Sequence, residues 1–588
     1  MSTLAGNHRP PGTETGRALA ERFEAEFGDP FSPAAPVTFE ELLRSDERAE
    51  APRVLMDRLA GWGFGGYLVP RPYGGRLRDF ESLLWLCRCL ARRDMRGALG
   101  HGTSLLGANP VWLWGSGEQR RIVAAKLLRN EFGSFAMSEK EHGSDLGSYE
   151  VTATGTAAGI VLDGQKWPIG NATRGTFATV YARSRDSRLY SLVLVDKDAV
   201  PPEQRENEPL ATTLGLRGHD LSGFRFAACL VPAEMRIGRE GSGTAKALKS
   251  LQITRVLISS MSLGSLDTAL RTTLRHCRNR RLYGTTVDRI PAVTAALVTA
   301  YLDLLVAECV ATPVSRSISV CPTRLSLWSS VVKYLVPTTV DTAIAELARV
   351  YSARGYIRAD EQAAVFQKVQ RDHLAAGIFE GTSHVNLANV AAQLPTLVPE
   401  ADPAAAQELL DTLFARDREP RPWDPAGTRL ELTNGGRDEI SAAWPRLTAA
   451  VRADGLPGGP RYTEAAVAAL DRLDGIRQRV LAESRALRAA PATSRTSTRN
   501  LLLAQAHCLL HAAACCLLTW QANRGRTPDG APLAEPWWVA LSLQRIVQRL
   551  DPLFEPAPDL VEEAMGQLTA QFAGNRLFSL ENIGLGSP

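Results

Sequence analysis

The hydrophobic period of this chain changes twice along its length, and that restricts its possible folds more than any single residue does. Residues 1 to about 130 carry helical apolar spacing, in runs that start at Ala18, Phe39 and Glu81. Proline–glycine turns such as Pro70 to Gly75 separate these runs. From about 131 to about 240 the runs are short, rich in β-branched residues and punctuated by Gly, Asp or Asn. Those starting at Tyr149, Gly159, Thr176 and Leu189 read as antiparallel strands, with Asp163-Gly164 as a hairpin turn. Helical spacing then returns over about 244–281, 291–312, 324–353 and 361–379, with Leu266, Leu270 and Leu274 on one face of the first segment. Four long amphipathic segments in succession predict a bundle. A Pro-rich linker from Pro395 to Pro403 leads to a further helical stretch, with a Pro/Gly/Arg-rich loop over 416–437. The expected fold is α+β, mainly α. It comprises an N-terminal helical domain (1–130), a central antiparallel β-barrel-like domain (131–243), a four-helix bundle (244–396) and an additional helical C-terminal domain (397–588).

A chain of 588 residues exceeds one hydrophobic core, which agrees with this division. Hydrophobic residues at 45% and charged residues at 22% match a soluble globular enzyme rather than a disordered chain. The net charge of +4 is spread along the sequence, so no concentrated basic face points to nucleic acid. Nine cysteines without framework spacing imply reduced thiols, and the N-terminus lacks the apolar segment of a signal peptide. No window is expected to span a membrane; the nearest, Leu501 to Trp520, is broken by Gln505, His507 and His511. The expected location is cytoplasmic.

One segment carries chemistry. In RDHLAAGIFEGTSHVN, Glu380 follows an uncharged run from Ala375 to Phe379 and precedes Gly381. A carboxylate stripped of water holds its proton more tightly and becomes a base near neutral pH. His384 lies close enough in sequence to pair with Glu380 or to cap a helix. His507 and His511 share a helical face, but no Glu follows the first as in a zinc protease, so they read as buried structural residues and no metal is expected. No Walker loop, GxSxG elbow or Rossmann fingerprint is present.

Further motifs accompany Glu380 in a fixed order: Val69-Pro70 with Gly74-Gly75, Phe135 to Glu139, His142 to Asp145, and Asp163 to Trp167 with Asn171. After these come Leu214 to Gly218, Val231-Pro232, Arg255, Arg280 to Gly284, Gly355-Tyr356, Arg371-Asp372 and Glu380 to Thr382. Over residues 15–395 this chain resembles the acyl-CoA dehydrogenase superfamily of flavoproteins. The resemblance implies FAD in a cleft between the β domain and the bundle, with an acyl thioester lying against the flavin. It implies that Glu380 is the base that removes the α-proton while the β-hydrogen leaves as hydride, and that Arg255 supports the bundle beside it. Some relatives carry the base immediately before the arginine that matches Arg255; here that position is Thr254, which cannot serve. Met137, Ser138, Ser144, Trp167, Ile169, Gly170, Arg280, Arg349 and Thr382 match cofactor-binding positions, Arg280 from across a subunit interface, and Ser144 and Gly381 match substrate-binding ones. His142 matches the flavin-side loop. The implied partners are an acyl-CoA or a carrier-protein thioester, an electron-transfer flavoprotein, and further copies of the chain in a homodimer or homotetramer.

The chain departs from the family pattern at several flavin contacts. An aromatic residue, Ile and Thr usually precede the Asn, whereas Pro168, Ile169 and Gly170 stand here. A commonly retained Gln falls on Pro291, another on Arg349, and a Gly pair on Ser352-Ala353. Lys166 to Pro168, the Glu139-x-x-His142-Gly143-Ser144 pattern and the C-terminal extension lean towards the acyl-CoA oxidase branch; Glu380-Gly381-Thr382 leans towards the dehydrogenases. A non-redox thioester-binding protein is the third reading.

Overall fold

The computed structural model describes residues 14–185, 187–360, 363–397, 403–489, 497–526 and 532–586. Its N-terminal part is helical: α1 (Gly16–Phe27), α2 (Phe39–Glu47), α3 (Arg53–Trp62), α4 (Phe80–Arg93), α5 (Met95–Trp114) and α6 (Gly117–Leu128). Side-chain caps set where several begin. Thr38 and Glu41 form a capping box on α2, as do Ser116 and Gln119 on α6, and Asp79 and Asp94 accept the free N–H groups of α4 and α5. Helices α4 and α5 are buried along nearly their whole length and pack on the long bundle helix described below.

The middle part holds β1 (Phe132–Ala136), β2 (Thr152–Thr156), β3 (Gly159–Gly170), β4 (Gly175–Ser184), β5 (Tyr190–Asp196), β6 (Arg205–Asn207) and β7 (Leu221–Val231). They form a seven-stranded sheet in the order β1-β4-β2-β3-β7-β6, with β5 paired to β4. This corrects the antiparallel barrel read from the sequence. The sheet is mixed, because β1 and β2 both run parallel to β4, and no closure of its edges is seen. Asp163-Gly164 is not a hairpin turn either. The chain passes straight through it within β3, and Gly164, at φ +119°, sits at a register shift against β7. A glycine–aspartate pair can mark a bulge as well as a turn, and here the long pairing with β7 decides between them.

The bundle is built on α7 (Gly243–Asn279), α8 (Pro291–Val320) and α9 (Leu325–Tyr351), followed by α10 (Ala364–His373) and α11 (Ser383–Gln393). A small hairpin, β8 (Arg281–Leu282) with β9 (Thr285–Thr286), joins α7 to α8. The fourth predicted segment is shorter than expected. It tightens to a 3₁₀ turn over Leu374–Gly377, and the chain crosses to α11 through Glu380 and Gly381. Pro291 opens α8 at its first position, where the lost N–H has no helical partner in any case.

The remaining helices are α12 (Pro403–Phe414), α13 (Glu439–Ala442), α14 (Trp444–Asp454), α15 (Pro460–Ala486), α16 (Thr498–Asn523), α17 (Trp537–Leu550) and α18 (Pro558–Ala573). Of these, α12, α16, α17 and α18 lie against α8, and α16 also packs on α11. The C-terminal tail then returns to the core. Glu308 of α8 accepts from Arg88, from the Ser579 hydroxyl and from the Leu580 N–H, Asp267 of α7 accepts from the Phe578 N–H, and Arg271 donates to the Arg576 carbonyl. The expectation that no segment is long and apolar enough to span a membrane is corrected for α8 and α16. Both pass by length and composition, with a mean hydropathy of 1.8, but 72% of each window is buried inside the protein. Burial between neighbouring helices explains their apolarity.

Candidate active site

Two motifs distant in sequence meet around Asp372. Its Oδ1 accepts from the Leu216 N–H at 2.6 Å and its Oδ2 from the Lys368 Nζ at 2.6 Å. Next to it, Arg371 donates to Asp46 at 2.6 Å and to the Leu214 carbonyl at 3.1 Å. A Cβ on Gly215 would lie 2.2 Å from the Arg371 carbonyl oxygen, so only glycine lets these backbones approach. This brace ties the middle part and α2 to α10, and so fixes the segment that leads to Glu380. The next residue, His373, is buried between the Asp341 carboxylate (2.6 Å) and the Ser262 hydroxyl (2.9 Å).

Glu380 takes a left-handed backbone conformation, φ +61°, and Gly381 follows at φ +90°. That pair of angles turns the chain sharply enough to send the Glu380 side chain inwards. The residue as a whole is partly exposed, but its carboxylate oxygen Oε2 is buried and accepts no hydrogen bond among the described residues. Burial pushes its carboxyl up to about 7, against the opposing effects of the Thr254 hydroxyl, the Lys333 ammonium and the Arg255 guanidinium. Arg255 of α7 donates Nε to the Glu380 carbonyl at 3.0 Å, holding the turn from below. Burial brings the Arg255 guanidinium down to about 10. Lys333 of α9, also buried, donates to the Ala376 carbonyl at 2.6 Å, and burial lowers it to about 8 although Glu380 draws it the other way. Thr382 caps α11 by accepting the Val385 N–H, and Asn386 secures the Gly381 and Thr382 carbonyls. The Glu380 N–H itself meets no acceptor among the described residues.

The sheet carries a second group of the sequence-derived positions. Glu139 accepts from the Val151 and Glu150 N–H groups and from Lys166, which also reaches the Met137 carbonyl at 2.8 Å. These contacts lock the turn that carries Met137 and Ser138; Met137 is buried and Ser138 half-buried. Beyond it, Gly143 and Ser144 are exposed and His142 half-buried, in a loop anchored by the Tyr149 hydroxyl on the Gly143 carbonyl. Between Lys166 and Ile169 the register against β7 shifts, so Trp167 and Pro168, joined by a cis peptide bond, bulge from the ladder; Ile169 stays buried. Gly170 faces α5: a Cβ there would lie 3.1 Å from both the Cγ2 and the Oγ1 of Thr103 and 3.6 Å from the His219 Nε2. Both ring nitrogens of His219 are buried without partners among the described residues. The Met261 Cε comes within 3.0 Å of the Cβ position of Gly102, beside Thr103. Met261 and Thr254, which neighbours Glu380, lie two turns apart on α7, about 10 Å along that helix.

The other sequence-derived positions lie apart from this cleft within one chain. Arg280 ends α7, 25 residues from Arg255 and about 37 Å along the helix axis. Its guanidinium makes no hydrogen bond among the described residues, and beside it Tyr283 is 94% exposed at the tip of the β8–β9 hairpin. Arg349 is exposed and donates twice to Glu346, about 24 Å along α9 from Lys333. Ser352 keeps a glycine-like conformation at φ +55°. His384 is exposed on the first turn of α11 and makes no hydrogen bond or ion pair with Glu380 among the described residues. Sequence reasoning missed Lys333, Thr103, His219 and the His373 relay. Lys333 alone left a signal, as a lone charge in the apolar run Ser330 to Val336.

The residues present fit a flavin. They offer a buried carboxylate oxygen without a partner among the described residues, a Thr103 hydroxyl in the space a side chain at 170 would fill, a bulged Trp167-Pro168 edge and the exposed backbone of the 143–144 loop. Three family models match the chain: acyl-CoA dehydrogenase, N-terminal domain, over residues 38–131; middle domain, over 134–229; and C-terminal domain, over 241–394. Benzylmalonyl-CoA dehydrogenase of Aromatoleum aromaticum is 28% identical over 350 residues, 58% of this chain and 89% of that protein. The CarC subunit of the caffeyl-CoA reductase–Etf complex of Acetobacterium woodii is 25% identical over 59% of this chain and 91% of its own length. Among solved structures, acyl-CoA dehydrogenase complexed with FAD from Bacillus anthracis superposes with a TM-score of 0.63 at 19% identity, covering 94% of this chain and 91% of that one. Butyryl-CoA dehydrogenase from Megasphaera elsdenii gives a TM-score of 0.56 at 20% identity, covering 63% and 95%.

Proposed function

The chain belongs to the acyl-CoA dehydrogenase superfamily, whose members are oxidoreductases acting on CH–CH bonds, and on that premise we propose that it uses FAD to introduce an α,β double bond into an acyl thioester. FAD, the family's cofactor, supplies the acceptor for the β-hydride. The observation that carries this reading is the buried, unpartnered Oε2 of Glu380, on a carboxyl that titrates near 7. Glu380 Oε2 takes the α-proton. The α-proton of a thioester is weakly acidic, so the carbonyl oxygen needs a donor as its charge grows. The Glu380 N–H, free of other partners among the described residues, meets that need. Arg255 positions this N–H by holding the Glu380 carbonyl, and the Lys333 charge favours the ionised form of the base.

On the sheet side, Ser138, the Ser144 loop, Trp167 and Ile169 hold the flavin ring, and the Thr103 hydroxyl replaces the donor that Gly170 lacks. Arg280 is too far along α7 to reach a cofactor lying at Glu380 of its own chain. It serves the cofactor's phosphates in a second copy, with Tyr283 beside it. Helices α16, α17 and α18 cover the outer side of α8, so the assembly is a homodimer with the C-terminal unit in place of a second pair of subunits. The nine cysteines are all free thiols, in keeping with a cytoplasmic enzyme. Electrons pass on to an electron-transfer flavoprotein.

Protein purified with bound flavin tests this. Anaerobic addition of acyl-CoA and acyl-carrier-protein thioesters should bleach the flavin absorbance with at least one of the two carriers, and an electron-transfer flavoprotein should restore it faster than oxygen does. Rapid reoxidation by oxygen with hydrogen peroxide would instead place the chain with the oxidases. A protein that never retains flavin would leave only the thioester-binding reading.

A further inference from the structure

Asp438, His507 and His511 meet where the C-terminal helices lie on the bundle, and the chemistry above uses none of them. Asp438 caps α13, while His507 and His511 stand one turn apart on α16; one ligand atom from each lies within 4.8 Å of the other two. All three residues are buried, His511 completely. Oδ1 of Asp438 is held by the Nε1–H of Trp328 on α9 at 2.9 Å and by the Ser441 N–H at 3.4 Å. Its Oδ2, the Nε2 of His507 and both ring nitrogens of His511 have no hydrogen-bond partner among the described residues.

Buried polar groups are almost always satisfied, so a cluster in which one ligand atom from each of three buried residues lies near the other two calls for a common partner. They pair with one another only loosely, at ion-pair range. Asp438 Oδ2 is 3.5 Å from His507 Nε2, and Asp438 Oδ1 is 3.8 Å from His511 Nδ1, too far for good hydrogen bonds. Two ligands bound at 2.0–2.1 Å in a tetrahedral site are separated by roughly 3.3 Å, close to the 3.5 Å between Asp438 Oδ2 and His507 Nε2. The carboxylate is also arranged as metal-bound carboxylates are, with one oxygen oriented by an indole N–H and the other left free. The sequence showed two histidines and no third ligand; the fold supplies it from the end of the 416–437 loop.

We propose that Asp438, His507 and His511 bind one divalent transition-metal ion of the zinc class, which pins the C-terminal helical unit to α9. Two imidazoles and one carboxylate form a borderline donor set that selects zinc or cobalt over magnesium or calcium. Trp328 belongs to the bundle, and the three ligands belong to the added helical unit, so the ion sits at the seam between them.

The full-length protein should carry about one zinc ion per chain after incubation with Zn²⁺ and desalting. A strong chelator should remove it and lower the melting temperature, and added Zn²⁺ should restore both. Cobalt substitution should give the visible d–d bands of a low-coordinate nitrogen–oxygen site. His507→Gln and His511→Gln should each abolish the bound ion and the cobalt spectrum. The proposal is overturned if the wild-type chain takes up no zinc or cobalt, or if both variants keep the ion. Should the variants fail to fold by circular dichroism, the wild-type metal content and cobalt spectrum decide alone.

Discussion

At the residue scale, Glu380 is defined by its conformation and its isolation. Its left-handed backbone aims the carboxylate inwards, and burial then raises its carboxyl to about 7. A base is active when ionised, so the rate of flavin reduction by substrate should rise with pH through about 7 and level off above it. Stability runs the other way. The folded carboxyl titrates above its ordinary value, so folding favours the protonated form, and stability should fall as pH rises from about 4.5 through 7. Chemical denaturation of wild type and Glu380→Gln across that range checks the sign, because the variant should lose this slope. Ser352 makes a separate prediction. At φ +55° and ψ −137° it occupies a region that suits glycine and carries no buried side chain. Ser352→Gly should therefore stabilise the protein by about 1 kcal/mol, read as an increased denaturation midpoint.

At the element scale, the brace between the middle part and α10 decides where Glu380 sits. Gly215→Ala pushes a methyl group against the Arg371 carbonyl, and neither backbone can yield without moving the Asp372–Leu216 contact. It should destabilise the protein by about 1–3 kcal/mol and slow flavin reduction. Gly475→Ala in α15 is the control: nothing lies within 4 Å of its added methyl, so it should be neutral or stabilise by up to about 1 kcal/mol. The same brace shows what could be read in advance. Arg371-Asp372 and Leu214 to Gly218 were visible as motifs, and the helix and strand periods located most elements. Their contact across the fold was not visible, since hydrogen bonds between residues more than 150 positions apart leave no local period. Asp163-Gly164 misled for a related reason, because a turn signal in sequence became a bulge once β7 paired alongside. Strand direction was also hidden: nothing local marks β1 as parallel to β4.

At the scale of the whole molecule, the C-terminal third is part of the core rather than an appendage. Its tail satisfies Glu308 and Asp267, and its helices cover the apolar face of α8. A chain ending at residue 396 would expose that face and leave Glu308 with Arg88 as its remaining partner, so it should be insoluble or aggregate on expression, which a solubility assay measures. The full-length protein should elute as a dimer by light scattering, and Tyr283→Asp together with Arg280→Glu should yield monomers with weakened flavin retention. The sequence announced an additional helical domain but not this role, because the pairing of α8 with α16 and α17 depends on apolar surfaces with the same composition as any buried helix. The central claim is that Glu380 removes the proton that starts the reaction. Stopped-flow flavin bleaching under anaerobic conditions, comparing wild type with Glu380→Gln at equal flavin content, tests it most directly. The predicted result is a loss of about 10²–10⁴-fold in the bleaching rate with flavin binding intact; a variant that bleaches as fast as wild type contradicts it.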